Sequence, residues 1–531
     1  MLIVSHPSGN RNVRGVLAAL YRANCLGAFF CAFGVSETVW WLRFFPKAFT
    51  ATLLRRSYHL PGKLLRIHPW REVVRQLSGK FGWSWLTRHE SGWACVDKVY
   101  HSVDRSVAQS LKRDRASAVY CYEDGALATF TRARELGILC VYDLPIAYWE
   151  TLRRLIAEER ERLPEWAETL GGGLTDSQAK LDRKTRELEL ADMVIVPSQF
   201  VADSLPAWAR ATKRVVISPF GSPEAAQAAD GKAETGKRSE EKAETGKLKA
   251  EEGKTAVGNA EDRNFQLSAF SSQLSPKRLR VLFAGSMGQR KGLGDLMAAV
   301  RMLDRPDVEL VCMGSLMAPM QFYQRQCPGF TYEKGRPHAQ VLELMRSCDV
   351  FCLPSIVEGR ALVMQEAMSQ GLPIIITPNT GGEDLVCEAG QIRRGETGKL
   401  KAEVGKAETG RSAKRVEGQS SAIDPAGMSN SGAQRAEVDT KLKTEGFDLP
   451  QVSGLSSQLS PSRCVRSATG FLVPIRSPEA IAEAIAWCAD HRDEVAAMGR
   501  AAQAKAAEYT WEEYGNRIVE AIRDEVASRK S

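Results

Sequence analysis

Two glutamates in the second half of the chain carry the chemistry that the sequence indicates first. The wholly apolar residues 350–353 predict a buried strand that ends at Pro354. Glu358 lies in the loop after this strand, and Glu366 lies about two helical turns further on. Carboxylates accept hydrogen bonds from sugar and ribose hydroxyls, and free amides at a helix N-terminus bind anions. Carboxylates beside an anion site therefore indicate a nucleotide-sugar as the ligand.

Two cations stand in front of another predicted helix, earlier in the same half of the chain. The mostly apolar residues 279–285 predict a strand, and a short loop follows that contains Arg290, Lys291 and Gly292. A helical pattern begins near Leu293. Cations just before a helix N-terminus form a site for a diphosphate. The alternative is a pair of solvated surface charges.

The elements around these residues alternate between strand and helix. The residues from Ala361 to Gln370 predict a helix that stops at Gly371, and residues 372–376 predict the next strand. This is the βαβ unit of a parallel sheet, in which ligands bind outside the carboxyl ends of the strands. Residues 1–222 predict a second doubly wound α/β domain, with strands at 2–5, 118–122, 138–142, 193–196 and 214–218.

A longer set of residues frames the two glutamates: Pro354-Ser355, Glu358-Gly359, Glu366-Ala367-Met368, Gly371-Leu372-Pro373 and Gly381-Gly382-Glu383-Asp384. This frame resembles the Glu-x7-Glu signature of the retaining glycosyltransferases of family 4. The resemblance implies the GT-B fold, in which two Rossmann-like doubly wound domains face a cleft. It also implies transfer of a sugar from a nucleotide-diphosphate sugar to a glycan, a lipid-linked acceptor or a small molecule. It covers nearly all of residues 277–522 outside one insertion and is looser over 1–222.

The resemblance implies roles for individual residues of the second domain. Arg290 and Lys291 would neutralise the diphosphate leaving group, Glu358 would hold the transferred sugar, and Glu366 would hold the ribose hydroxyls. Lys291 and Gly292 match the family pattern Gly-Arg-x4-Lys-Gly, whereas a serine stands at its first cation position. Arg360 replaces the usual phenylalanine of the signature and is expected to alter which sugar fits. The other expected donor contacts are Gly285, Ser286, Gly359, Ala361, Leu362, Val363, Gly335 and His338.

The first domain is expected to supply the acceptor side of the cleft. Its first turn contains Gly9 and Asn10, and the corresponding glycine loop of the resembling family lies close to donor and acceptor. Glu123 and Asp143 each directly follow a predicted strand. Many family members carry a histidine near the second of these positions, so Asp143 is expected to be catalytic. His101 and His6 are alternatives for the missing histidine, and His101 is counted with the acceptor side.

Two segments differ in composition from the rest of the chain. Residues 229–276 and 391–464 are rich in Gly, Lys, Glu, Ala and Thr, and the second repeats eight residues of the first (244–251) letter for letter at 396–403. Such segments bury too little apolar surface to offset the entropy of ordering, so we predict two disordered insertions. The predicted domains are 1–222, then 277–390 with 465–508. The resemblance implies that a C-terminal helix within 509–531 crosses back to the first domain. A Glu- and Arg-rich helix at 148–162 is expected to be exposed.

Charge and cysteine content limit the partners and the compartment. The net charge of +8 is modest for 531 residues and does not require nucleic acid. The 12 cysteines form no CxxC pair, which favours reduced core cysteines in a cytoplasmic protein without a metal centre. No cofactor beyond the nucleotide-diphosphate sugar is expected, since Arg290 and Lys291 can replace a metal. The chain opens on a strand rather than on a signal peptide.

The role of one basic segment and the type of reaction each have alternatives. Residues 53–76 are basic with interleaved aromatics, which indicates either a solvated face, a grip on a phosphorylated acceptor, or peripheral contact with the inner membrane surface. The chemistry also has rivals, because one fold supports several activities. They are a nucleotide-sugar epimerase or phosphorylase on the GT-B scaffold, and a catalytically silent nucleotide-sugar-binding protein.

Overall fold

The computed structural model describes residues 1–36, 56–223, 278–386 and 464–529. The predicted insertions lie outside these ranges except for Cys464, and so do residues 53–55 of the basic segment. The strands are β1 Leu2–Ser5, β2 Leu26–Cys31, β3 Val35–Ser36, β4 Ser57–Tyr58, β5 Leu65–Ile67, β6 Ala118–Tyr122, β7 Leu139–Asp143, β8 Met193–Val196, β9 Arg214–Ile217, β10 Leu279–Ala284, β11 Val308–Met313, β12 Thr331–Glu333, β13 Val350–Leu353, β14 Ile374–Ile376, β15 Val465–Arg466 and β16 Gly470–Leu472.

Helices connect most of these strands. They are α1 Arg11–Arg22, α2 Trp70–Phe81, α3 Val96–Asp114, α4 Leu127–Glu135, α5 Trp149–Arg162, α6 Gln178–Leu190, α7 Gln199–Ser204, α8 Ala207–Thr212, α9 Leu293–Leu303, α10 Met320–Gln326, α11 His338–Arg346, α12 Leu362–Ser369, α13 Glu383–Val386, α14 Pro478–Asp490, α15 Arg492–Ala507 and α16 Trp511–Ser528. None of the described helices combines the length and the apolar character that a bilayer-spanning segment requires.

Two seven-stranded sheets form the two domains. The first has the order β5-β2-β1-β6-β7-β8-β9, and its strands are parallel. The second has the order β12-β11-β10-β13-β14-β16-β15, and only β15 runs antiparallel to its neighbour. In both sheets the order reverses beside the first strand, which is the doubly wound pattern with a ligand crevice at the reversal. The expected α/β class and GT-B architecture are confirmed.

The last helix ties the chain back to the first domain. In α16, Tyr514, Ile518 and Ile522 are buried and recur at helical spacing. They join the core of α1 and the first sheet, where Val16 and Leu20 are also buried. The glycine at position 15 lets the two helices approach closely, because a Cβ there would lie 3.1 Å from the Tyr514 ring. The C-terminal helix therefore packs against the first domain.

The expectation that the helix at 148–162 is exposed is wrong. In α5, Leu155 and Ile156 are buried in a cluster with Ile356 and Val357, which belong to the signature loop of the second domain. The charged Glu159 of this helix has no solvent exposure. Its polar composition suggested a solvated face, but these charges are paired with residues of the other domain. The helix is therefore part of the contact between the domains.

Candidate active site

The reversal points of the two sheets bring four loops into one region. In the first domain these are the loops after β1 and β6, and in the second domain they are the loops after β10 and β13. The loop after β10 contains the 3₁₀ turn Gln289–Lys291, and the helix α9 follows it. The loop after β13 leads into α12. The fold therefore places both predicted donor loops at the site that parallel sheets use for ligands.

The cation loop is fixed against the glutamate loop by one glycine. Gly292 has φ +72°, and a Cβ at this position would overlap the carbonyl oxygen of Pro354. Gly285 at the start of the loop has φ +150°, and a Cβ there would lie 3.0 Å from Cδ of Lys291. The Lys291 stem therefore runs over the end of β10. This close approach, which only glycine allows at Gly292, sets the distance between the cations and Glu358.

Glu358 lies between the two predicted cations. Lys291 Nζ is 3.2 Å from Glu358 Oε2, and the Arg290 guanidinium forms an ion pair with the other carboxylate oxygen. Arg290 also donates to the Val357 carbonyl oxygen at 3.1 Å. Burial alone would raise the pKa of Glu358, but Lys291 and Arg290 outweigh it and hold the pKa below its usual value. The group therefore contains two cations and one ionised carboxylate, which leaves a net positive charge for an anion.

Glu366 is held by two residues from different parts of the chain. Arg11 Nη1 lies 3.1 Å from Glu366 Oε1, and His338 Nε2 lies 2.9 Å from the same oxygen. Arg11 comes from the first domain and His338 is the first residue of α11. His338 and Glu366, which were expected separately to contact the donor, are thus brought together. No motif in the sequence indicates the role of Arg11, although this residue directly follows the Gly9-Asn10 turn in the loop after β1.

The signature loop rests on the first domain at Gly359. A Cβ there would overlap the carbonyl oxygen of Pro145, two residues after Asp143. Ser198, after β8, donates its hydroxyl to the Gly359 carbonyl oxygen at 2.7 Å. The ends of β7 and β8 therefore hold the backbone beside Glu358. Through these contacts the chain brings Asp143 and Glu358 to neighbouring loops.

Arg360 does not present its side chain to the ligand region. The side chain is fully buried and its guanidinium pairs with Asp384 at 2.7 Å. It also donates to the Gly381 carbonyl oxygen at 3.0 Å and to Gln365 Oε1 at 3.1 Å, and it lies over the Tyr509 ring at 5.0 Å. The expectation that this arginine selects the sugar is corrected, because its hydrogen-bonding groups are directed into the second domain.

The backbone after Arg360 offers two amides to an anion. Ala361 precedes α12, and its N–H donates to the Thr380 carbonyl oxygen at 3.2 Å. Leu362 and Val363 are the first two residues of the helix, so their N–H groups have no intrahelical acceptor. Ser286 is half-buried in the cation loop, and Gly335 lies in open space before α11. Of the expected amides, those of Leu362 and Val363 fit an anion best.

The turn after β1 is shaped by a buried histidine. His6 Nδ1 accepts a hydrogen bond from the Gly9 amide at 3.0 Å, and Gly9 has φ +64°. Burial lowers the pKa of His6 to about 3, so its ring is neutral at ordinary pH. The Asn10 side chain caps α1 by accepting from the Val13 amide at 3.2 Å. These contacts aim the following Arg11 at Glu366.

His101 lies apart from the other predicted site residues. It belongs to α3 and lines a cavity of about 430 Å³ between α3, α4 and α6. The lining consists of His101, Asp104, Arg105, Leu127, Ala128, Thr131, Arg132, Glu135 and Arg183, none of which is another predicted site residue. The structure therefore does not support His101 as a substitute for the missing histidine.

Glu123, after β6, is buried and forms an ion pair with Lys184 at 3.2 Å.

Asp143 ends β7 on the face of the sheet that α1 and α16 cover. It is 2% exposed, and burial raises its pKa to about 7. The Tyr120 hydroxyl opposes this shift and the charge of Glu123 adds to it. Asp143 also raises the pKa of Tyr514 from α16, after the larger effect of burial. The carboxyl is therefore protonated to a large extent at neutral pH.

A buried polar network connects the cation loop to α5. Gln289, which has no solvent exposure, donates to Glu159 at 2.7 Å and to Asp295 at 2.8 Å. Arg162 contacts the same Asp295 at 2.8 Å. The backbone N–H of Gln289 donates to the Thr169 hydroxyl at 3.0 Å. The sequence alone does not predict this network, because most of its members lie more than a hundred residues apart and carry no local pattern.

We expect Asp143→Asn to change how stability depends on pH. An acid whose pKa is raised on folding contributes stability that is complete below its unfolded pKa and is lost as pH rises through the folded value. With a folded pKa of about 7, this loss occurs between about pH 4 and pH 7. Asparagine has no proton to lose. Between pH 5 and pH 8, Asp143→Asn should therefore lose less stability than the wild type does.

Thermal unfolding midpoints at pH 5 and pH 8 measure this effect. One pKa unit corresponds to about 1.4 kcal/mol, so the difference between the two proteins should be several degrees. Asp182→Asn, at an exposed position of α6, is the matched control and should follow the wild type. The same pH dependence in wild type and Asp143→Asn would contradict the assigned pKa.

Comparison with known proteins identifies the domain that contains both donor loops. Residues 264–404 match the family model of group 1 glycosyl transferases. The matched segment contains the cation loop and the signature. No curated protein matches the sequence significantly.

Several solved structures are similar to this chain at low sequence identity. Anabaena HepE in complex with UDP has 13% identity and a TM-score of 0.48, over 98% of this chain and 99% of that chain. Sucrose-phosphate synthase from Thermosynechococcus elongatus has 15% identity and a TM-score of 0.49, over 99% of each chain. Trehalose-6-phosphate synthase OtsA has 11% identity and a TM-score of 0.45, over 99% of this chain and 98% of that chain.

Proposed function

We propose that this protein is a retaining glycosyltransferase of the family 4 type. It transfers a sugar from a nucleotide-diphosphate sugar to a glycan, a lipid-linked acceptor or a small molecule. The observation that carries the proposal is the group formed by Lys291, Arg290 and Glu358. It combines two cations for a diphosphate with one ionised carboxylate for a sugar, within the segment that matches the glycosyltransferase model.

The leaving group determines how the cations act. When the bond between the anomeric carbon and the diphosphate oxygen breaks, its electron pair stays on the diphosphate. Arg290, Lys291 and the free amides of Leu362 and Val363 stabilise that charge at fixed positions, which lowers the barrier to cleavage. Cations in these positions replace a metal ion, so the proposed reaction requires none.

The two glutamates divide the donor between them. Glu358 accepts hydrogen bonds from hydroxyls of the transferred sugar, and its ionised state suits that role. Glu366 accepts from the ribose hydroxyls, which take the place of Arg11 or His338 on its Oε1 atom. The acceptor approaches from the first domain, past Gly9 and Asn10. In the resembling family a donor phosphate oxygen helps to take the proton of the acceptor hydroxyl.

The cellular setting of the proposal is the cytoplasm. The cysteines of the described residues are all free, and most are buried. Burial raises the pKa of several of these thiols, including Cys352, so they remain protonated. Free core cysteines are typical of proteins in a reducing compartment.

Product analysis with a panel of nucleotide-sugars tests the proposed activity. We expect consumption of one donor only when an acceptor is supplied, apart from slow hydrolysis, and an α-linked product from an α-linked donor by proton NMR. Conversion of the donor without any acceptor, into an isomeric nucleotide-sugar, would instead indicate an epimerase. An inverted product would contradict the retaining mechanism.

A further inference from the structure

One helix of the first domain turns its apolar side to the solvent. In α2 the buried residues are Glu72 and Ser78, which are both polar. Trp70 is 78% exposed, Phe81 is 60% exposed and Leu77 is 37% exposed. At about 3.6 residues per turn, positions 70, 77 and 81 lie on one face of the helix. The usual amphipathic arrangement, with the apolar face toward the core, is thus inverted.

The exposed apolar residues continue beyond this helix. Phe81 stacks on Trp83 with ring centroids 5.0 Å apart. Trp85 is 64% exposed in the following 3₁₀ turn, and Trp93 is 47% exposed just before α3. We call this set the aromatic surface; it consists of Ile67, Trp70, Leu77, Phe81, Trp83, Trp85, Trp93 and Val96. Over half of the exposed large hydrophobic side chains of the described residues lie in this short segment, which marks an interaction site.

Basic side chains surround the aromatic surface, and the acid nearest to them on α2, Glu72, is neutralised by two arginines. Glu72 is bound by Arg56 and Arg75, and Glu90 accepts a hydrogen bond from the Ser177 amide at 2.8 Å. The basic residues Lys63, Lys80 and Arg88 are exposed and form no ion pair with other described residues. The surface therefore combines tryptophan, phenylalanine and net positive charge.

We propose that the aromatic surface binds the headgroup region of an anionic lipid bilayer. Tryptophan and phenylalanine are favourable at the boundary between headgroups and acyl chains, and an amphipathic helix can lie in that plane. Lysine and arginine beside it are attracted by anionic lipids. The aromatic side chains are spread over α2, the 3₁₀ turn and the start of α3, so a broad apolar layer fits them better than a single peptide.

This inference is independent of the donor site. The aromatic surface follows β5, the edge strand of the first sheet, whereas the donor residues lie in the second domain. Binding of a bilayer would bring the acceptor-side domain to the membrane surface. It requires no chemistry beyond adsorption.

Co-sedimentation of the full chain with lipid vesicles tests the proposal. We expect binding to phosphatidylcholine vesicles that contain phosphatidylglycerol, weak binding without phosphatidylglycerol, and loss of binding as salt is raised. The double variant Trp70→Ser and Phe81→Ser removes the two most exposed side chains of α2, and Lys80→Glu with Arg88→Glu reverses two charges. Each double variant should bind at least about tenfold more weakly.

Trp208→Ser is the matched control, since Trp208 is 40% exposed on α8, away from the aromatic surface. It should bind vesicles like the wild type. Unchanged thermal unfolding and unchanged nucleotide binding of all variants show that the fold and the donor site are intact. Absence of binding by the wild type at low salt would overturn the proposal. Wild-type affinity of the double variant Trp70→Ser and Phe81→Ser for the vesicles would also overturn it.

Discussion

Replacing Lys291 by methionine is expected to lower kcat by about 10²–10³, with a smaller effect on KM. The ammonium group lies 3.2 Å from Glu358 and at the N-terminal side of α9. In the proposed reaction it faces the charge that develops on the diphosphate as the sugar bond breaks. Methionine keeps a stem of similar length over Gly285, so the packing of the loop changes little while the charge is lost.

The variant also leaves Glu358 with one cation instead of two. Arg290 alone then opposes the effect of burial, so the pKa of Glu358 should rise. The matched control is Lys505→Met on α15, where the lysine forms a surface ion pair with Glu508. Initial rates at several donor concentrations separate kcat from KM. A kcat of Lys291→Met close to that of the control would contradict the proposed role.

Replacing Gly359 by alanine is expected to lower kcat/KM by about 10²-fold through geometry alone. The added methyl group would overlap the carbonyl oxygen of Pro145, which is backbone and cannot rotate away. The signature loop must then shift, and its hydrogen bond with Ser198 is lost. Glu358 is the adjacent residue, and a displacement of about 1 Å in a catalytic group can cost two orders of magnitude in rate.

Gly62→Ala is the matched control for this effect. A Cβ at Gly62 would meet only open space, and the backbone conformation of this residue is one that alanine adopts without strain. We expect its kcat/KM to equal that of the wild type. Circular dichroism and thermal unfolding would show whether Gly359→Ala remains folded. A folded Gly359→Ala variant with wild-type kcat/KM would show that the contact with Pro145 is not needed for catalysis.

Continuous patterns in the sequence predicted most of the fold. Strands β1, β6 and β8 were predicted at their observed bounds, because short apolar runs bounded by turn residues carry that information locally. The spacing of Tyr514, Ile518 and Ile522 predicted a packed last helix for the same reason. The short strands β3, β4 and β5 were missed, since two or three residues do not establish a period.

The partners of the site residues could not be predicted in the same way. Arg11 and Glu366 are 355 residues apart, and only the folded chain shows that they pair. The same is true of Gln289 and Glu159, at a separation of 130 residues. Arg360 was expected to alter which sugar fits because of its place in the signature, but its side chain is buried and pairs with Asp384. Pairing across distant segments decides the direction of a long polar side chain.

The polar helix α5 and the apolar helix α2 show a second limit. Composition suggested that α5 is exposed, yet Glu159 is buried with partners from both domains. In α2 the periodicity of apolar residues is clear, but it does not state which face meets the core. An amphipathic pattern identifies two faces, and the surroundings decide which of them is buried.

Calorimetric binding of UDP, GDP and ADP to the purified protein tests the central claim most directly. The same titrations with Lys291→Ala and Glu366→Ala examine the diphosphate and the ribose contacts separately. We expect one nucleotide to bind selectively, and both variants to bind it at least about tenfold more weakly. A folded wild-type protein that binds none of the three, or variants that bind as tightly as the wild type, would contradict a donor site at these residues.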